Sequence, residues 1–539
     1  MINKVSLVFS IIILKCFIIY LIVHLSPLPY GDDLDQILWL TSLKMLPTMD
    51  SLKFFFTKVN EHFVIFTRII TLIDFQIFGK SSSVHWTIIG LILFISSLLL
   101  TIFTFSFHKS RYWTLLLGIS LVWLDPKLYE NILWGFTSLQ HNFIVFITLI
   151  SSYLIIYKED NKSFIFSIIL TICGVFSSGN GLILPFLLGI ICIDKSYKKA
   201  ITYFLCFFVS CLIFWLSSGD SQNGISIPNF LQFFKTCFYF LVFNIDITDG
   251  KQTSLFIIFG ILSSLYLIIS ILLNYKNDRI YKFIFIGFAF VFVSGLMVAL
   301  KRSNLNVQSI DLGVRYNLYS KLYVLILIST ILYQLRENRT SHSILVFVVL
   351  VPLCLISYWK NINKTKGFMN LSIANWYNIK HVNFDEKCEQ IRWKRHVLPS
   401  NTNYVEPFSK ENIQKIRSSS FEKEQININI SEDNELILFN NTTFSTTNKS
   451  IFILLKNQSD EILLNSVQSK NSIKDFFVSQ NYYGKGFLSF LKKKKCNELF
   501  TFVENSYTKT GQYDVLVIVV EDLDIKLFNT YQKVKITCK

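Results

Sequence analysis

Residues Val84–Phe107, VHWTIIGLILFISSLLLTIFTFSF, run for 24 positions without an Asp, Glu, Lys or Arg. An α-helix rises 1.5 Å per residue, so about 20 such residues cover the roughly 30 Å of hydrocarbon in a bilayer. The stretch is therefore expected to be a transmembrane helix. Comparable stretches recur from Val5 to Tyr358, and spans are expected near 5–27, 84–107, 112–128, 139–157, 163–177, 181–193, 200–216, 253–273, 281–300, 316–335 and 343–358. Over the 539 residues, 52% hydrophobic content, 16% charged content and a mean hydropathy of +0.45 fit a membrane protein and not a soluble one. The fold class expected is an α-helical multi-pass membrane protein of about eleven spans.

The first apolar run follows Lys4, which is also how a secretory signal begins. It is longer than the apolar core of a signal, and no small-residue cleavage site follows, so it is retained as the first span. The formal charge of +16 comes from Lys and Arg dispersed over short loops and a Lys-rich tail. No basic groove with interleaved aromatics is present, so nucleic acid is not an expected partner. Topology and attraction to anionic lipids are the expected uses of that charge, which makes membrane lipids a partner. Six of the ten cysteines (Cys16, Cys173, Cys192, Cys206, Cys211 and Cys354) lie in apolar runs, where the thiol acts as a small hydrophobe. Cys388, Cys496 and Cys538 in the tail have room for one disulfide in an oxidising compartment, with the pairing left open.

With a cytoplasmic N-terminus, the inside loops carry Lys109 and Arg111, Lys158 and Lys162, Lys195, Lys198 and Lys199, Lys276, Arg279 and Lys282, then Arg336 and Arg339. This is the inside enrichment of basic residues. An odd number of spans then puts 359–539 outside. The loop 28–83 mixes carboxylates with apolar residues at helical spacing, and Leu38, Leu43, Leu46, Leu52, Phe55 and Phe56 fit short amphipathic helices. Phe63–Phe78, interrupted by Arg68 and Asp74, fits another one lying along the outer membrane surface. Were it a true span, everything downstream would invert and the charge pattern would be spoiled. A second outside segment, Ser217–Thr253, carries Gly219, Gly224 and Pro228 ahead of the amphipathic stretch Phe230–Phe243.

From about Asn361 the composition turns to Asn, Lys, Ser and Glu, while Ile426–Ile430, Ile451–Leu455 and Val515–Val520 have strand character. A β-rich, sandwich-like extracytoplasmic domain is expected over 359–539, following a transmembrane domain over 1–358.

Candidate site residues sit at the outside ends. Asp32 and Asp33 follow the first span, where a carboxylate acts as a general base on a hydroxyl or binds a divalent cation, and a crowded pair raises one pKa. The plain alternative is a turn that caps the next helix. Asn60, Glu61 and His62 close the same loop: Glu61 and His62 are suited to proton transfer or metal ligation, and Asn60 to capping a surface helix or binding substrate. Arg68 offers a bidentate grip on phosphate. Arg315 and Tyr316 mark the outside end of the tenth span, where a cation either snorkels or grips a lipid phosphate. Trp134 in Trp134-Gly135-Phe136, Gln140 in Gln140-His141-Asn142 and Asn180 in Ser177-Ser178-Gly179-Asn180-Gly181 are suited to sugar stacking or hydroxyl binding; an aromatic belt and a helix break are their structural readings. No GxxxxGK[ST], HExxH or GxSxG occurs, so ATP-driven transport and familiar hydrolase chemistry lack support.

The order of these features resembles the GT-C fold of multi-pass glycosyltransferases, specifically bacterial membrane proteins of the protein mannosyltransferase and lipid A aminoarabinose transferase group. The matching order is one span, an outside loop with Asp32-Asp33, the Asn60-Glu61-His62 segment, an apolar surface helix ending in Phe78-Gly79-Lys80-Ser81, then the second span. Relatives of that group carry Arg after Asn-Glu-His and Gln after Trp-Gly-Phe; here Phe63 and Thr137 stand in those places. The resemblance covers about residues 1–335. It implies a polyprenyl-phosphate-linked sugar donor, a glycan, lipid or protein acceptor, Asp32 or Asp33 as base or metal ligand, and Arg315 as a phosphate contact.

The function expected is thus sugar transfer on the outer face of a bacterial inner (cytoplasmic) membrane. The rival from another class is a non-enzymatic transporter or flippase, or a structural membrane protein, of envelope glycan assembly. The topology is directly checkable: protease added to intact spheroplasts should remove the segment beyond Tyr358. Cleavage only after lysis would overturn the eleven-span arrangement and the outside placement of Asp32 and Asp33.

Overall fold

The computed structural model describes residues 2–25, 29, 31–59, 62–79, 81–106, 112–158, 160–217, 229–245, 253–302, 314–336, 338–358, 361, 365, 368, 428–430, 436–440, 449–456, 461–465, 467–469, 498–502, 511–521 and 524–536. The chain divides into two compact units, Met1–Leu25 with Leu43–Tyr358, and Ser26–Ser42 with Trp359–Lys539.

In chain order the helices are α1 (Ile2–His24), α2 (Asp32–Met45), α3 (Thr48–Phe55), α4 (Ile65–Phe78), α5 (Ser83–Thr104), α6 (Trp113–Trp123), α7 (Tyr129–Leu133), α8 (Gly135–Tyr157), α9 (Asn161–Val175), α10 (Ile183–Ile193), α11 (Tyr197–Leu216), α12 (Phe230–Val242), α13 (Thr253–Asn274), α14 (Arg279–Arg302), α15 (Asn317–Gln334) and α16 (Arg339–Ile344). Helix continues from Leu345 to Tyr358, its first six residues forming a π turn. Each of the eleven apolar segments found in the sequence contains helix, some of them over only part of the expected length. Among the described residues six helices are long and apolar enough to cross a membrane: Lys4–Ile22 of α1, α5, α8, α11, α13 and Arg279–Leu300 of α14. α6, with 11 residues, and α9, with 15, are shorter than about 20 residues. α15 has the length, at 18 residues, but buries Lys321.

The helices meet through small residues, the usual solution where lipid supplies no hydrophobic drive between helices. On α5, Gly90 lies so close to α8 that a Cβ there would collide with Ser138. Lipid-type faces are apolar and exposed: Ile201, Leu205 and Phe208 on α11, and Leu255, Ile258 and Leu262 on α13.

α4 is amphipathic in an inverted sense. Thr67, Arg68, Thr71 and Asp74 are buried, whereas Ile69, Ile73 and Ile77, spaced by four, are exposed. Asp74 accepts from Ser82 N at 2.7 Å and pairs with His85 Nδ1 at 2.5 Å, which fastens α4 to the start of α5. At 14 residues α4 spans about 21 Å, and its buried Arg68 and Asp74 set it apart from the apolar segments.

The strongest polar tie inside the helical unit joins the turn after α6 to α15. Lys321 Nζ donates to Asp125 Oδ2 at 2.6 Å with both side chains about 95% buried. Asp125 also accepts from Lys127 N at 2.9 Å and from Ser357 Oγ at 3.0 Å. Lys127 Nζ continues the seam to the carbonyls of Phe243 and Asn244, at 2.9 and 2.7 Å.

The second unit contains α2 up to Ser42 and the strands β3 (Ile428–Ile430), β4 (Leu436–Asn440), β5 (Lys449–Lys456), β6 (Glu461–Asn465), β7 (Val467–Ser469), β8 (Glu498–Phe502), β9 (Gly511–Glu521) and β10 (Asp524–Ile536); β1 (Lys58–Val59) and β2 (His62–Phe63) belong to the first unit. Two four-stranded antiparallel sheets form, ordered β10-β9-β5-β6 and β3-β4-β8-β7. Val515, Leu516, Val517 and Ile518 are buried in succession, so β9 is covered on both faces. The register sets Ile453 opposite Val517 and Phe452 opposite Ile518, with an irregularity between Asn529 and Lys533 of β10. Cys388, Cys496 and Cys538 lie outside the described residues.

Removing one charge of the Asp125–Lys321 pair leaves the other buried and unanswered, a change that costs about 3–5 kcal/mol. Lys321→Met should therefore lower the thermal unfolding temperature in detergent sharply. Asp125→Asn/Lys321→Met should recover part of the loss, because Asn still accepts from Lys127 N and Ser357 Oγ. A double variant no more stable than the single one would show that the ion pair is not what holds this seam.

Candidate functional site

The break between α9 and α10 is the local feature that builds the site. Ser177 and Ser178 end α9, and a 3-10 turn over Gly179–Leu182 leads into α10. Exposed main-chain groups at such a break need partners, and side chains of β2 and α8 supply two of them, while α4 is joined through a serine of the break itself. Phe66 N of α4 donates to Ser177 Oγ at 3.3 Å, and Gln140 Nε2 of α8 donates to Ser177 O at 3.4 Å. Gly179 N donates to His62 Nδ1 at 2.9 Å. That bond makes Nδ1 the acceptor and puts the proton of the neutral ring on Nε2. Gly179 has to be glycine here, since a Cβ would lie 2.8 Å from His62 Nδ1.

Tyr319 of α15 is the centre of the arrangement. Its hydroxyl lies 2.9 Å from His141 Nδ1, with Asn180 and Ser178 of the break close by. Tyr316 and Tyr319 both stand edge-on to the His141 ring, with centroids at 6.1 and 5.4 Å. Arg315 lies over the Tyr316 ring at 5.6 Å, and Arg315 and His62 are both within electrostatic reach of His141. Asn131 Nδ2 holds Arg315 O at 2.7 Å, and Asn142 Nδ2 holds Asn131 O at 2.9 Å. His62, Gln140, Asn180, Arg315 and Tyr316 thus gather around two residues, His141 and Tyr319. Trp134, buried at the start of α8, follows directly on α7, which carries Asn131.

Beside this cluster, Phe66 stacks on Phe143 with centroids 3.6 Å apart and planes within 6°. Phe63, in the position where Arg was anticipated, packs edge-on against Phe176 and Phe214 at 5.6 and 4.9 Å. Lys58 covers the Phe63 and Phe214 rings at 5.3 and 5.2 Å and donates to Phe214 O at 3.0 Å; burial lowers its pKa. A cation is therefore present at this spot, supplied by β1 instead of by residue 63.

Other candidates have contacts of their own. Arg68 donates through Nη1 to the carbonyls of Phe55 and Thr57, at 2.5 and 2.6 Å, and through Nη2 to Thr57 Oγ1 at 3.2 Å. Burial pulls its guanidinium down to about 10, so it remains charged at neutral pH. Its contacts make it a clasp between α4 and the end of α3. Asp32 and Asp33 occupy the first turn of α2, where carboxylates answer the positive end of the helix, and Asp33 is 1% exposed. Both belong to the second unit. Asn60 and Glu61 lie outside the described residues. Among the described residues no three His, Cys, Asp or Glu side chains assemble as ligands for a divalent cation.

Tyr319 was missed in the sequence because an aromatic in an apolar span is ordinarily core. Lys321 and Asp125 carried a clearer signal, an ionisable residue inside an apolar stretch and a carboxylate at the end of another. No family model, curated protein or solved structure matches the chain.

The tight fit of Gly179 against His62 is measurable. Gly179→Ala should cost about 1–3 kcal/mol of stability through overpacking. In a His62→Ala background the same substitution should cost much less, because the obstructing ring is gone. Equal costs in the two backgrounds, read by thermal unfolding, would mean that the residues do not touch.

Proposed function

We propose that the chain is a GT-C-like glycosyltransferase of a bacterial cytoplasmic membrane, moving a sugar from a polyprenyl-phosphate-linked donor to an extracytoplasmic glycan, lipid or protein acceptor. The observation that carries this reading is the gathering of His62, His141, Asn180, Arg315 and Tyr319, drawn from five separate parts of the chain, at one end of the helical unit. The apolar stripe of Ile69, Ile73 and Ile77 on α4 supports a helix lying on the membrane beside that end. In this reading all eleven apolar segments cross, the cluster faces outward, and 359–539 is a β-sandwich domain that positions the acceptor.

The chemistry is a substitution at the anomeric carbon. The acceptor hydroxyl attacks, its proton passes to a carboxylate of Asp32-Asp33, and the bond to the donor's phosphate breaks. The polyprenyl phosphate leaves as an anion and needs little acid assistance, so positive charge from Arg315 suffices to stabilise it. Asn180, His141 and Tyr319 offer hydroxyl, ring-nitrogen and amide groups suited to sugar hydroxyls.

A flippase would place charges at mid-membrane on discontinuous helices. The buried Lys321 sits instead about 6 Å from the start of α15, four residues after Asn317, and is matched by a carboxylate at a helix end. That position suits a structural tie more than a transport path.

Asp32→Asn/Asp33→Asn should abolish transfer of labelled sugar from a polyprenyl-phosphate donor in membrane vesicles while leaving membrane abundance unchanged. Retained transfer would remove both carboxylates from the mechanism. Arg315→Ala should lower the turnover by about 100-fold, the usual scale for losing one stabilising group at a developing charge.

A further inference from the structure

The passage from α4 into α5 holds a histidine–carboxylate pair that the His141–Tyr319 cluster does not use. Gly79, in the left-handed region at φ 69°, ends α4 and donates through N to Phe75 O at 2.8 Å, and α5 begins soon after at Ser83. This brings Asp74, one turn before the end of α4, against His85 in the first turn of α5. The Asp74 carboxylate accepts from Ser82 N at 2.7 Å and from His85 Nδ1 at 2.5 Å, and among the described residues no Lys or Arg pairs with it. Donation by Nδ1 fixes the tautomer of the neutral ring and leaves the lone pair on Nε2. The Phe78 ring packs on His85 with centroids 4.5 Å apart. The His85 side chain is nevertheless 33% exposed, and its Nε2, which has no partner among the described residues, is not buried.

The charge of the pair decides what it can hold. With the ring neutral it carries one negative charge, and with the ring protonated none, so in neither state does it offer an anion a net positive charge. A cation that also donates a hydrogen bond meets both the negative charge and the bare Nε2. The position of the pair decides where that cation comes from. α5 is a 22-residue apolar helix of spanning length, and His85 lies in its first turn, at the level where lipid headgroups begin. Ile88 and Ile92, three and seven residues on, share the face of His85 and are exposed, so apolar surface continues from the ring along the helix. Ile77 and Phe78, also exposed, add to it at the end of α4. A soluble amine leaves this surface uncovered, whereas a phospholipid uses both parts. We infer that Asp74 and His85 form a headgroup site for a phospholipid with a primary ammonium, which donates to His85 Nε2 while an acyl chain lies along Ile88 and Ile92.

The experiment uses the full-length protein, purified in detergent and stripped of lipid, with affinity read from the rise of the unfolding temperature on titration. Phosphatidylethanolamine should bind about tenfold more tightly than phosphatidylcholine of the same acyl chains, the scale of one charge-assisted hydrogen bond, because the trimethylated nitrogen has no N–H to donate. Asp74→Asn still accepts from Ser82 N but removes the negative charge and lets the ring take either tautomer, so it should bring the two lipids to equal affinity. His85→Phe, which keeps a ring against Phe78, should do the same, and both variants should bind phosphatidylcholine as the wild type does. An equal response of the wild type to the two lipids, or an undiminished preference in either variant, would overturn the site. Phosphatidylglycerol binding as tightly as phosphatidylethanolamine would overturn the ammonium as the recognised group. O-Phosphoethanolamine displacing phosphatidylethanolamine at equal concentration would overturn the lipid as its ligand.

Discussion

A lysine and an aspartate, each about 95% buried in an apolar helical unit, stand 2.6 Å apart, each the partner of the other. Taking either from water alone costs several kcal/mol, and the pair recovers this only with good geometry and further hydrogen bonds. Asp125 has them, from Lys127 N and Ser357 Oγ. Three distant stretches of chain are thereby fixed at one level: the turn after α6, the second turn of α15, and the helical end before Tyr358. Tyr319 lies two residues before Lys321, on nearly the opposite side of α15, so the level of the ion pair also sets the level of the hydroxyl that meets His141. Ser320 between them donates to Leu241 O at 2.9 Å and accepts from Asn244 N at 3.0 Å, tying in α12. One short segment of α15 therefore controls how four other elements meet.

Elsewhere, polar side chains inside the helices turn back on their own backbone. Thr148 and Ser152, Thr171, Ser294 and Thr330 each donate to a carbonyl one turn earlier. Such bonds satisfy the hydroxyl at no cost in specificity, which leaves the few inter-helix bonds to set geometry. The cluster around Tyr319 consists of bonds of the second kind.

Long apolar runs were readable because span length and absence of charge are properties of a contiguous window. Each such window forms a helix where described, although several are shorter than the hydropathy pattern extended them, because Ser, Gly and Pro stop them early. Strand character in Ile451–Leu455 and Val515–Val520 was legible for the same local reason, while their pairing at Ile453 and Val517 was not. In the site, His62, Gln140, Asn180, Arg315 and Tyr316 announced themselves as polar residues at the expected ends of spans. Their mutual contacts depend on which helices are neighbours, and a single sequence holds no trace of that. Arg68 shows the converse: its residue type points to phosphate, but its three acceptors are supplied by a turn eleven to thirteen residues earlier.

That clasp has a mechanical meaning. Phe55 and Thr57 at one end and Arg68 at the other close a loop that contains β1 and β2, and closing a loop of this size consumes chain entropy that the intervening residues no longer have to supply. Because the guanidinium keeps its charge across ordinary conditions, the ring stays shut irrespective of acidity. His62 is carried inside the ring, and its bond to Gly179 reaches out of it to the break between α9 and α10. A tilt of α4 would therefore act through Arg68 and His62 together and pull on the joint between those two helices.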